Sequence, residues 1–357
     1  MKQYRILVIN PLVHSTKIAL FEDERNIFEH DVPLTFNEMK VSIYEQVQSR
    51  LQSIIQVTTE LGINLSIIDA ICGRGGLLRP IPGGTFAINE EMIRDLYRGV
   101  NGVHVSNLGA IIAKEMADLL KIPSYIVDPV VVDEMEPISK YTGIPEMKRK
   151  SIFHALNQKN VALEYAKEKN KNYDNVNLII AHIGTGITVG AHSKGKVIDV
   201  NNGFDGEGAF SFERAGTLPN LSLVHLCFTS GLTEEEIKKK ITYESGLKAY
   251  LNVHHIEEVM ELTEKKDART LEVLSIFAYQ ISKEIGMMSA VLKGDVDGIL
   301  LTGQLAFNHF LVKEIIDRVS WIADIFTYPG DHVMSAMAKG TLRVLKGEET
   351  LKTYTDE

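Results

Sequence analysis

Residues 178–191 form the most informative segment of the chain, with the sequence Leu178-Ile179-Ile180-Ala181-His182-Ile183-Gly184-Thr185-Gly186-Ile187-Thr188-Val189-Gly190-Ala191. The apolar, β-branched runs on either side of the turn predict two strands. Gly184 and Gly186 have no Cβ, so backbone N–H groups in the turn can approach an anion closely. A triphosphate is the natural ligand of such a turn. The alternative is a plain hairpin in which the glycines only satisfy turn geometry.

Helices and strands alternate through the rest of the chain, which is typical of α/β proteins. Apolar residues at helical spacing predict helices at about residues 38–61, 90–98, 108–120, 150–169, 271–292, 307–319 and 333–345. Short apolar runs predict strands at about residues 6–9, 18–21, 67–71, 124–127, 178–183, 188–192, 197–200 and 298–302. A chain of 357 residues fits two domains with a cleft. We place the boundary near residue 150.

Composition and charge exclude several classes of function. The chain is 45% hydrophobic and 24% charged, as expected of a globular protein. Its net charge of −9, without a dense Lys/Arg stripe, argues against nucleic acid and anionic membranes as partners. Two cysteines do not resemble a disulfide framework, and the apolar run at residues 6–9 is too short for a signal peptide or a membrane span. We therefore expect a reducing, cytoplasmic location.

The turn of the first predicted hairpin is rich in polar groups. Asn10, His14, Ser15, Thr16 and Lys17 supply neutral donors and one cation between two strands. These groups suit a second phosphate site or a metal-bound water. The alternative is a polar turn without a ligand.

Several motifs together resemble the acetate and butyrate kinase family, and the butyrate kinases most closely. They are Asn10-Pro11, the His-x-Gly-x-Gly pattern at 182–186, and the segments 72–84, 107–110, 126–135, 151–157, 200–202, 205–208, 212–216 and 300–303. The resemblance covers essentially the whole chain. It implies two actin-like (ribonuclease H-like) domains with a nucleotide-binding cleft between them. Residues 1–149 plus 333–357 would form the acyl-substrate domain, and 150–332 the nucleotide domain.

The resemblance also implies a reaction, which is reversible phosphoryl transfer between ATP and a short-chain fatty acid. The acid is already ionised at neutral pH, because its carboxyl pKa is about 4.3, so no general base is needed. Cations and fixed donors must instead overcome the repulsion between two anions. Arg74 and Arg214 match the two active-site arginines of the family, whose planar guanidinium groups suit carboxylate and phosphoryl oxygens.

Two histidines match further catalytic positions of the family. His154 would donate a hydrogen bond to the transferring phosphoryl group, and His182 would face the γ-phosphate. Taken singly, a histidine at a helix start is more often a capping or core residue, and an arginine more often forms a surface ion pair. The four matches together favour a catalytic site.

The resemblance assigns three further sets of residues. The Mg²⁺ set is Asn10, Asp128 and Asp331. The nucleotide and phosphate set is Asn10, Ser15, Thr16, Lys17, Gly184, Thr185, Gly186, Gly303 and Gln304. The acyl pocket set is Gly76, Val103 and Phe153. Acetate kinases typically carry a valine where this chain has Gly76, so we expect a larger pocket in which each buried methylene contributes about 0.8 kcal/mol. A dimer or larger assembly of identical chains is also expected.

Some positions depart from the family and support an alternative, a catalytically weakened paralogue that keeps the fold as a nucleotide-binding or regulatory protein. Leu12 and Val13 stand where butyrate kinases usually have Gly and Ser/Thr, and Gln304 replaces a second glycine. Asp331 is the one acidic residue in 329–335, where the family has several. A third reading, an actin-like sugar kinase, needs a catalytic aspartate, and the arginine pair argues against it.

Overall fold

The computed structural model describes residues 2–355 and separates into two compact units. The first unit comprises the chain up to Val132 together with the part from His332 onward, and the second is Asp133–Asp331. Each unit contains one β-sheet with helices packed on it. Within the described residues, we find no helix with the length and apolarity that crossing a membrane requires.

The elements follow one another in α/β order. The strands are β1 (Arg5–Pro11), β2 (Ser15–Glu22), β3 (Arg25–Pro33), β4 (Ala70–Gly73), β5 (Thr85–Ala87), β6 (Ser124–Val127), β7 (Asn177–Ile183), β8 (Ile187–Ser193), β9 (Lys196–Val200), β10 (Gly298–Gly303), β11 (Ile325–Pro329) and β12 (Lys352–Thr353). The α-helices are α1 (Val47–Glu60), α2 (Glu90–Arg98), α3 (Asn107–Leu120), α4 (Ala155–Glu168), α5 (Asn220–Thr229), α6 (Glu234–Tyr243), α7 (Gly246–Leu251), α8 (Ile256–Glu264), α9 (Ala268–Val291), α10 (His309–Val319) and α11 (Val333–Leu345).

The first unit is built on a seven-stranded mixed sheet in the order β12-β5-β6-β4-β1-β2-β3. Its centre is β1, which pairs antiparallel with β2 and parallel with β4, and whose residues 6–9 are fully buried. Helices α3 and α11 pack on this centre. The predicted hairpin is therefore present, but β3 extends it. Strand β3 was not predicted, because this edge strand is mostly exposed and carries no apolar run.

The second unit has a five-stranded sheet in the order β11-β10-β7-β8-β9. Every residue of β7 is buried, because α4 and α9 both pack on this strand. The predicted strand–turn–strand at 178–191 is confirmed, since β7 and β8 pair antiparallel from Asn177↔Ser193 to Ile183↔Ile187. Strand β10 runs parallel to β7, so the carboxyl ends of both strands meet at the edge where the glycine turn lies.

Two predicted helices differ in where they begin. The helix predicted at about 38–61 is α-helical only from Val47, because 3-10 turns occupy the preceding residues. The helix predicted at about 150–169 begins at Ala155, since the backbone of His154 is not helical (φ −78°, ψ 57°). His154 therefore sits at the N-cap, outside the helix. Helices α5 to α8 were not among the predicted helices.

The segment 133–149 belongs to the second unit, whereas the predicted boundary lay near residue 150. Glu134 forms a largely buried ion pair with Lys159 of α4, with an O–N distance of 2.8 Å. Arg149 pairs with Asp199 of β9 at 2.9 Å and with Glu207 at 3.0 Å. These contacts attach the segment to α4 and to the β9 region. The assignment of acyl and nucleotide roles to the two domains stays a prediction.

Glu284 on α9 makes the stability of the second unit dependent on pH. Burial raises the pKa of its carboxyl group from 4.5 to about 7, while Lys283 and Arg149 act against that rise. The unfolded chain thus loses this proton at a lower pH than the folded chain. The contribution of Glu284 is therefore most favourable below about pH 4.5 and is lost as the pH rises to about 7.

We expect Glu284→Gln to increase the free energy of unfolding by about 1–2 kcal/mol at pH 8 and to change it little at pH 4. Urea unfolding followed by the fluorescence of Trp321, the single tryptophan, reports on this unit. The same gain at both pH values would contradict the assigned cause.

Candidate active site

The glycine turn between β7 and β8 brings three predicted site residues together, which are Gly186, His154 and Arg214. Its backbone is closed by a hydrogen bond from the N–H of Gly184 to the carbonyl of Gly186 (3.0 Å). A Cβ at position 186 would overlap with Nη1 of Arg214 and would lie 3.2 Å from Cε1 of His154. Thr185, at the tip, is exposed. Glycine at 186 therefore lets an arginine and a histidine approach the turn backbone directly.

His154 and His182 stack on each other beside this turn, with ring centroids 3.8 Å apart and planes 15° from parallel. Nδ1 of His182 lies 3.1 Å from the side-chain oxygen of Asn157. The amide nitrogen of Asn157 donates to the carbonyls of Gly330 and Asp331, so its oxygen must accept from His182. His182 consequently carries a proton on Nδ1. Its Nε2 lies 3.5 Å from a carboxylate oxygen of Asp331, and the two groups form an ion pair only when the ring is protonated.

Arg214 brings a positive charge to the turn. Its Nη1 donates to the carbonyl of Gly203 (2.7 Å), whereas the buried Nε has no hydrogen-bond acceptor anywhere in residues 2–355. No carboxylate of the described chain forms an ion pair with it, and burial lowers the pKa of the guanidinium group from its ordinary value. A buried donor without an acceptor is unfavourable by about 1–3 kcal/mol. The site is therefore suited to an anion.

The backbone of the Arg214 region is also tied to the glycine turn. The hydroxyl of Ser211 accepts from the N–H of Arg214 (3.1 Å) and donates to the carbonyl of Thr185 (2.6 Å). One serine side chain thus couples the arginine backbone to the tip of the turn.

Gly303 and Gln304 lie at the end of β10, next to the glycine turn. The backbone of Gly303 has φ 92° and ψ 170°, a conformation that is essentially restricted to glycine. A Cβ there would lie 2.5 Å from the carbonyl oxygen of Ile183 in β7. Gln304 begins a 3-10 turn and is exposed. The predicted nucleotide residues 303 and 304 therefore share a sheet edge with 184–186.

In the first unit, polar side chains of the first hairpin form hydrogen bonds or ion pairs with other side chains. Ser15 donates to Asp31 (3.3 Å), and Lys17 pairs with Glu29 (3.2 Å). Thr16 is buried, and its hydroxyl accepts from Arg50 (2.8 Å). The phosphate-binding role of these three side chains stays a prediction.

Arg50 holds the same turn from inside the unit. This fully buried side chain donates to the carbonyls of Leu12 and Ser15 at 3.0 and 2.8 Å. The side-chain oxygen of Gln46 accepts from it, and burial lowers its pKa to about 10. Arg50 was not among the predicted site residues. Its only signal was a charged residue on the otherwise apolar face of a predicted helix.

Asp128 and Arg74 follow neighbouring strands of the first sheet. Asp128 is buried, has φ 36°, and accepts a hydrogen bond from the N–H of Gly84 (2.7 Å). A non-glycine residue with such a φ is uncommon. Arg74 is half-buried, and its N–H donates to the carbonyl of Ile9 in β1 (2.9 Å). The carboxyl ends of β1, β4 and β6 thus carry Asn10, Arg74 and Asp128.

The predicted metal set can be compared with the donor groups that the structure describes. Across residues 2–355, no three His, Cys, Asp or Glu side chains cluster as a metal site. Mg²⁺ is commonly held by one or two carboxylates with phosphate oxygens and water, so such a cluster is not required. The carboxylates of Asp128 and Asp331 fit this chemistry. The set Asn10, Asp128 and Asp331 stays a prediction.

Among the predicted acyl pocket residues, Gly76 has a packing role. A Cβ at Gly76 would lie 2.5 Å from the side-chain oxygen of Asn107 and 2.8 Å from Leu96. The missing side chain thus permits close packing against α2 and α3, and its volume is already filled. Val103 is exposed and Phe153 is buried. An enlarged pocket at position 76 does not follow from this packing, and the pocket assignment stays a prediction.

Comparison with known proteins places this chain among carboxylate kinases. The sequence model of the acetokinase family matches residues 140–327. Butyrate kinase 2 of Clostridium acetobutylicum is 49% identical over 354 residues, which cover 99% of each chain. The crystal structure of Porphyromonas gingivalis acetate kinase superimposes with a TM-score of 0.79 at 18% identity, covering 96% of this chain and 100% of that one.

A second solved structure agrees with the first. A propionate kinase from Francisella tularensis superimposes with a TM-score of 0.73 at 17% identity, covering 94% of this chain and 98% of that one. At these identities the likeness shows the fold, which is α/β with two actin-like domains.

Proposed function

Because this chain belongs to the acetokinase family, we propose that it is a butyrate kinase, which transfers a phosphoryl group reversibly between ATP and the carboxylate of a short-chain or branched-chain fatty acid. The observation that carries this proposal is the convergence of Arg214, His154 and His182 on the glycine turn. Their chemistry suits charge stabilisation, since a guanidinium group and imidazole N–H groups can donate hydrogen bonds to anionic oxygens.

The mechanism that we propose depends on electrostatics. The backbone of residues 184–186 binds phosphate oxygens, and the unpaired Nε of Arg214 donates to the transferring phosphoryl group. His154 donates to the same group, where negative charge is spread over three oxygens during transfer. Arg74 acts on the acyl or phosphoryl oxygens from the first unit. Asp128, at the same end of the first sheet as Asn10, or Asp331 of the second unit would hold Mg²⁺, which would neutralise charge on the nucleotide phosphates.

The proposal also covers the ligands, the location and the assembly of the enzyme. The nucleotide is ATP or ADP, in keeping with the family, and Gly303 and Gln304 contact its nucleoside part. The small carboxylic acid is the acceptor. We place the protein in the cytoplasm as a dimer or larger assembly of identical chains.

A weakened paralogue is the second candidate, favoured by the exposed Gln304 side chain where the family has glycine. In that case the fold would bind nucleotide with little turnover.

Trapping of acyl phosphates with hydroxylamine distinguishes the two candidates. Purified protein, Mg·ATP and acids from acetate to isovalerate are incubated, and hydroxamates are measured. We expect four- and five-carbon acids to react faster than acetate, since each methylene contributes about 0.8 kcal/mol when buried. Reactions without acid serve as the control. If no acid yields a hydroxamate while ADP still binds, the weakened paralogue is the correct reading.

A further inference from the structure

A continuous chain of hydrogen bonds runs through the interior of the second unit and ends on His154. The hydroxyl of Tyr173 lies 2.7 Å from Nδ1 of His192. Nε2 of His192 lies 2.9 Å from the side-chain oxygen of Gln158. The amide nitrogen of Gln158 lies 2.9 Å from the hydroxyl oxygen of Thr188, which lies 2.9 Å from Nδ1 of His154. Gln158, Thr188 and His192 are fully buried.

The orientation of the Gln158 amide fixes the direction of this chain. Its nitrogen lies 3.0 Å from the backbone carbonyl of Thr188, an atom that can only accept. The side-chain oxygen of Gln158 therefore faces His192, which must donate from Nε2. Since burial holds the pKa of His192 well below 6.5, this ring is neutral and its Nδ1 accepts from Tyr173.

The direction of the Thr188 hydroxyl proton follows from the donors around its oxygen. Its oxygen accepts from the amide of Gln158 and lies 3.5 Å from the backbone N–H of His154. With those donors on its lone pairs, its single proton points to Nδ1 of His154. A neutral imidazole that accepts at Nδ1 carries its proton on Nε2.

We propose that the chain Tyr173–His192–Gln158–Thr188 sets the tautomer of His154, so that Nε2–H is the donor offered to the transferring phosphoryl group. The inference rests on the proposed phosphoryl transfer. Thr188 and Gln158 are positioning residues, because they act through His154 and contact no reacting atom. The opposite tautomer would turn a lone pair toward an anionic oxygen and would repel it.

Two residues of this hydrogen-bond chain lie in a strand whose other buried side chains are apolar. Thr188 and His192 lie in β8, where most of the neighbouring side chains are fully buried hydrocarbon. A buried polar group in such surroundings is stable only when it is hydrogen-bonded. A requirement of the site explains why a threonine, a glutamine and a second histidine replace apolar residues there.

The test uses Thr188→Val, which removes the hydroxyl and keeps the shape of the side chain. We expect kcat to fall about 10- to 100-fold in the hydroxamate assay, while KM for ATP and for the acid changes less than about threefold. Thr188→Ser, which restores the hydroxyl, should recover most of the lost turnover. Thr58→Val is the matched control, since Thr58 is equally buried but bonds only to α1 backbone carbonyls in the first unit.

The tautomer is read directly by ¹⁵N NMR of histidine-labelled protein, with the His154 signals assigned by their loss in His154→Gln. Wild-type protein should show an unprotonated Nδ1 and a protonated Nε2 at His154, and Thr188→Val should show a mixture. Gln158→Met is a second variant with the same expected shift, should Thr188→Val not fold. A folded Thr188→Val with wild-type kcat, or with an unchanged His154 tautomer, would overturn the inference. The NMR measurement needs no turnover. An inactive wild-type protein would therefore contradict the proposed reaction but would leave the tautomer measurement valid.

Discussion

Replacing Arg214 by alanine is expected to lower kcat for acyl phosphate formation by about 10²- to 10³-fold. The reason is the unpaired Nε, which is buried beside the glycine turn and has no acceptor within residues 2–355. Folding has already positioned this donor. It can therefore hydrogen-bond to the charge that develops in the transition state without any rearrangement of the protein. Initial rates of hydroxamate formation at saturating Mg·ATP and acid measure the effect.

Two further variants sharpen this test. Arg214→Lys keeps the charge but loses the planar fork and its Nε–H, so we expect only partial recovery. Arg269→Ala, on α9 in the same unit, removes an exposed arginine that pairs with Glu272, and should leave the rate unchanged. An unchanged rate in Arg214→Ala would remove this residue from the mechanism.

The proposed cooperation of the two arginines is tested by a double-variant cycle. If Arg74 and Arg214 act on the same transferring group, the rate losses of Arg74→Ala and Arg214→Ala will not be additive. Additive losses would contradict a shared action on the transferring group and would leave Arg74 a role at the acyl oxygens alone.

Gly303→Ala is expected to destabilise the second unit by about 3–5 kcal/mol. Two penalties combine at this position. The backbone conformation is one that L-residues essentially do not adopt, and the new Cβ would collide with the backbone of Ile183 in the central strand. Because β7 leads directly into the glycine turn, any relief of this collision would also shift residues 184–186.

The matched control is Gly294→Ala, in the same unit. Gly294 also has a positive φ (77°), but its Cβ would meet nothing within 4 Å. We expect a loss of only about 1–2 kcal/mol from backbone strain. Urea unfolding followed by Trp321 fluorescence gives both values, and equal losses in the two variants would contradict the proposed collision with β7.

Much of the second unit was predictable because its signals are local. The β7–β8 hairpin follows from two apolar runs around two glycines, and strand β10, predicted at about 298–302, spans Gly298–Gly303. Strand β3 was missed, since an exposed edge strand needs no apolar residues and leaves no periodic signal. The start of α4 was misplaced because the non-helical backbone of His154 depends on contacts with β8.

The candidate site divides in the same way. Its residues were identified from motifs, yet their protonation and hydrogen-bonding roles were not, because these depend on which atoms face each other. Gly76 illustrates the difference. A glycine in the sequence suggested added room, but packing against Asn107 shows that this volume is filled.

By itself, the sequence determined the α/β class, the glycine turn and the family likeness, because periodicity, missing Cβ atoms and motif spacing are properties of the chain alone. Only the tertiary structure decided that Nε of Arg214 has no acceptor among residues 2–355 and that a buried chain of hydrogen bonds ends on Nδ1 of His154. Hydrogen-bond direction depends on donors and acceptors that lie far apart along the chain. Folding brings them to fixed distances in surroundings from which water is excluded.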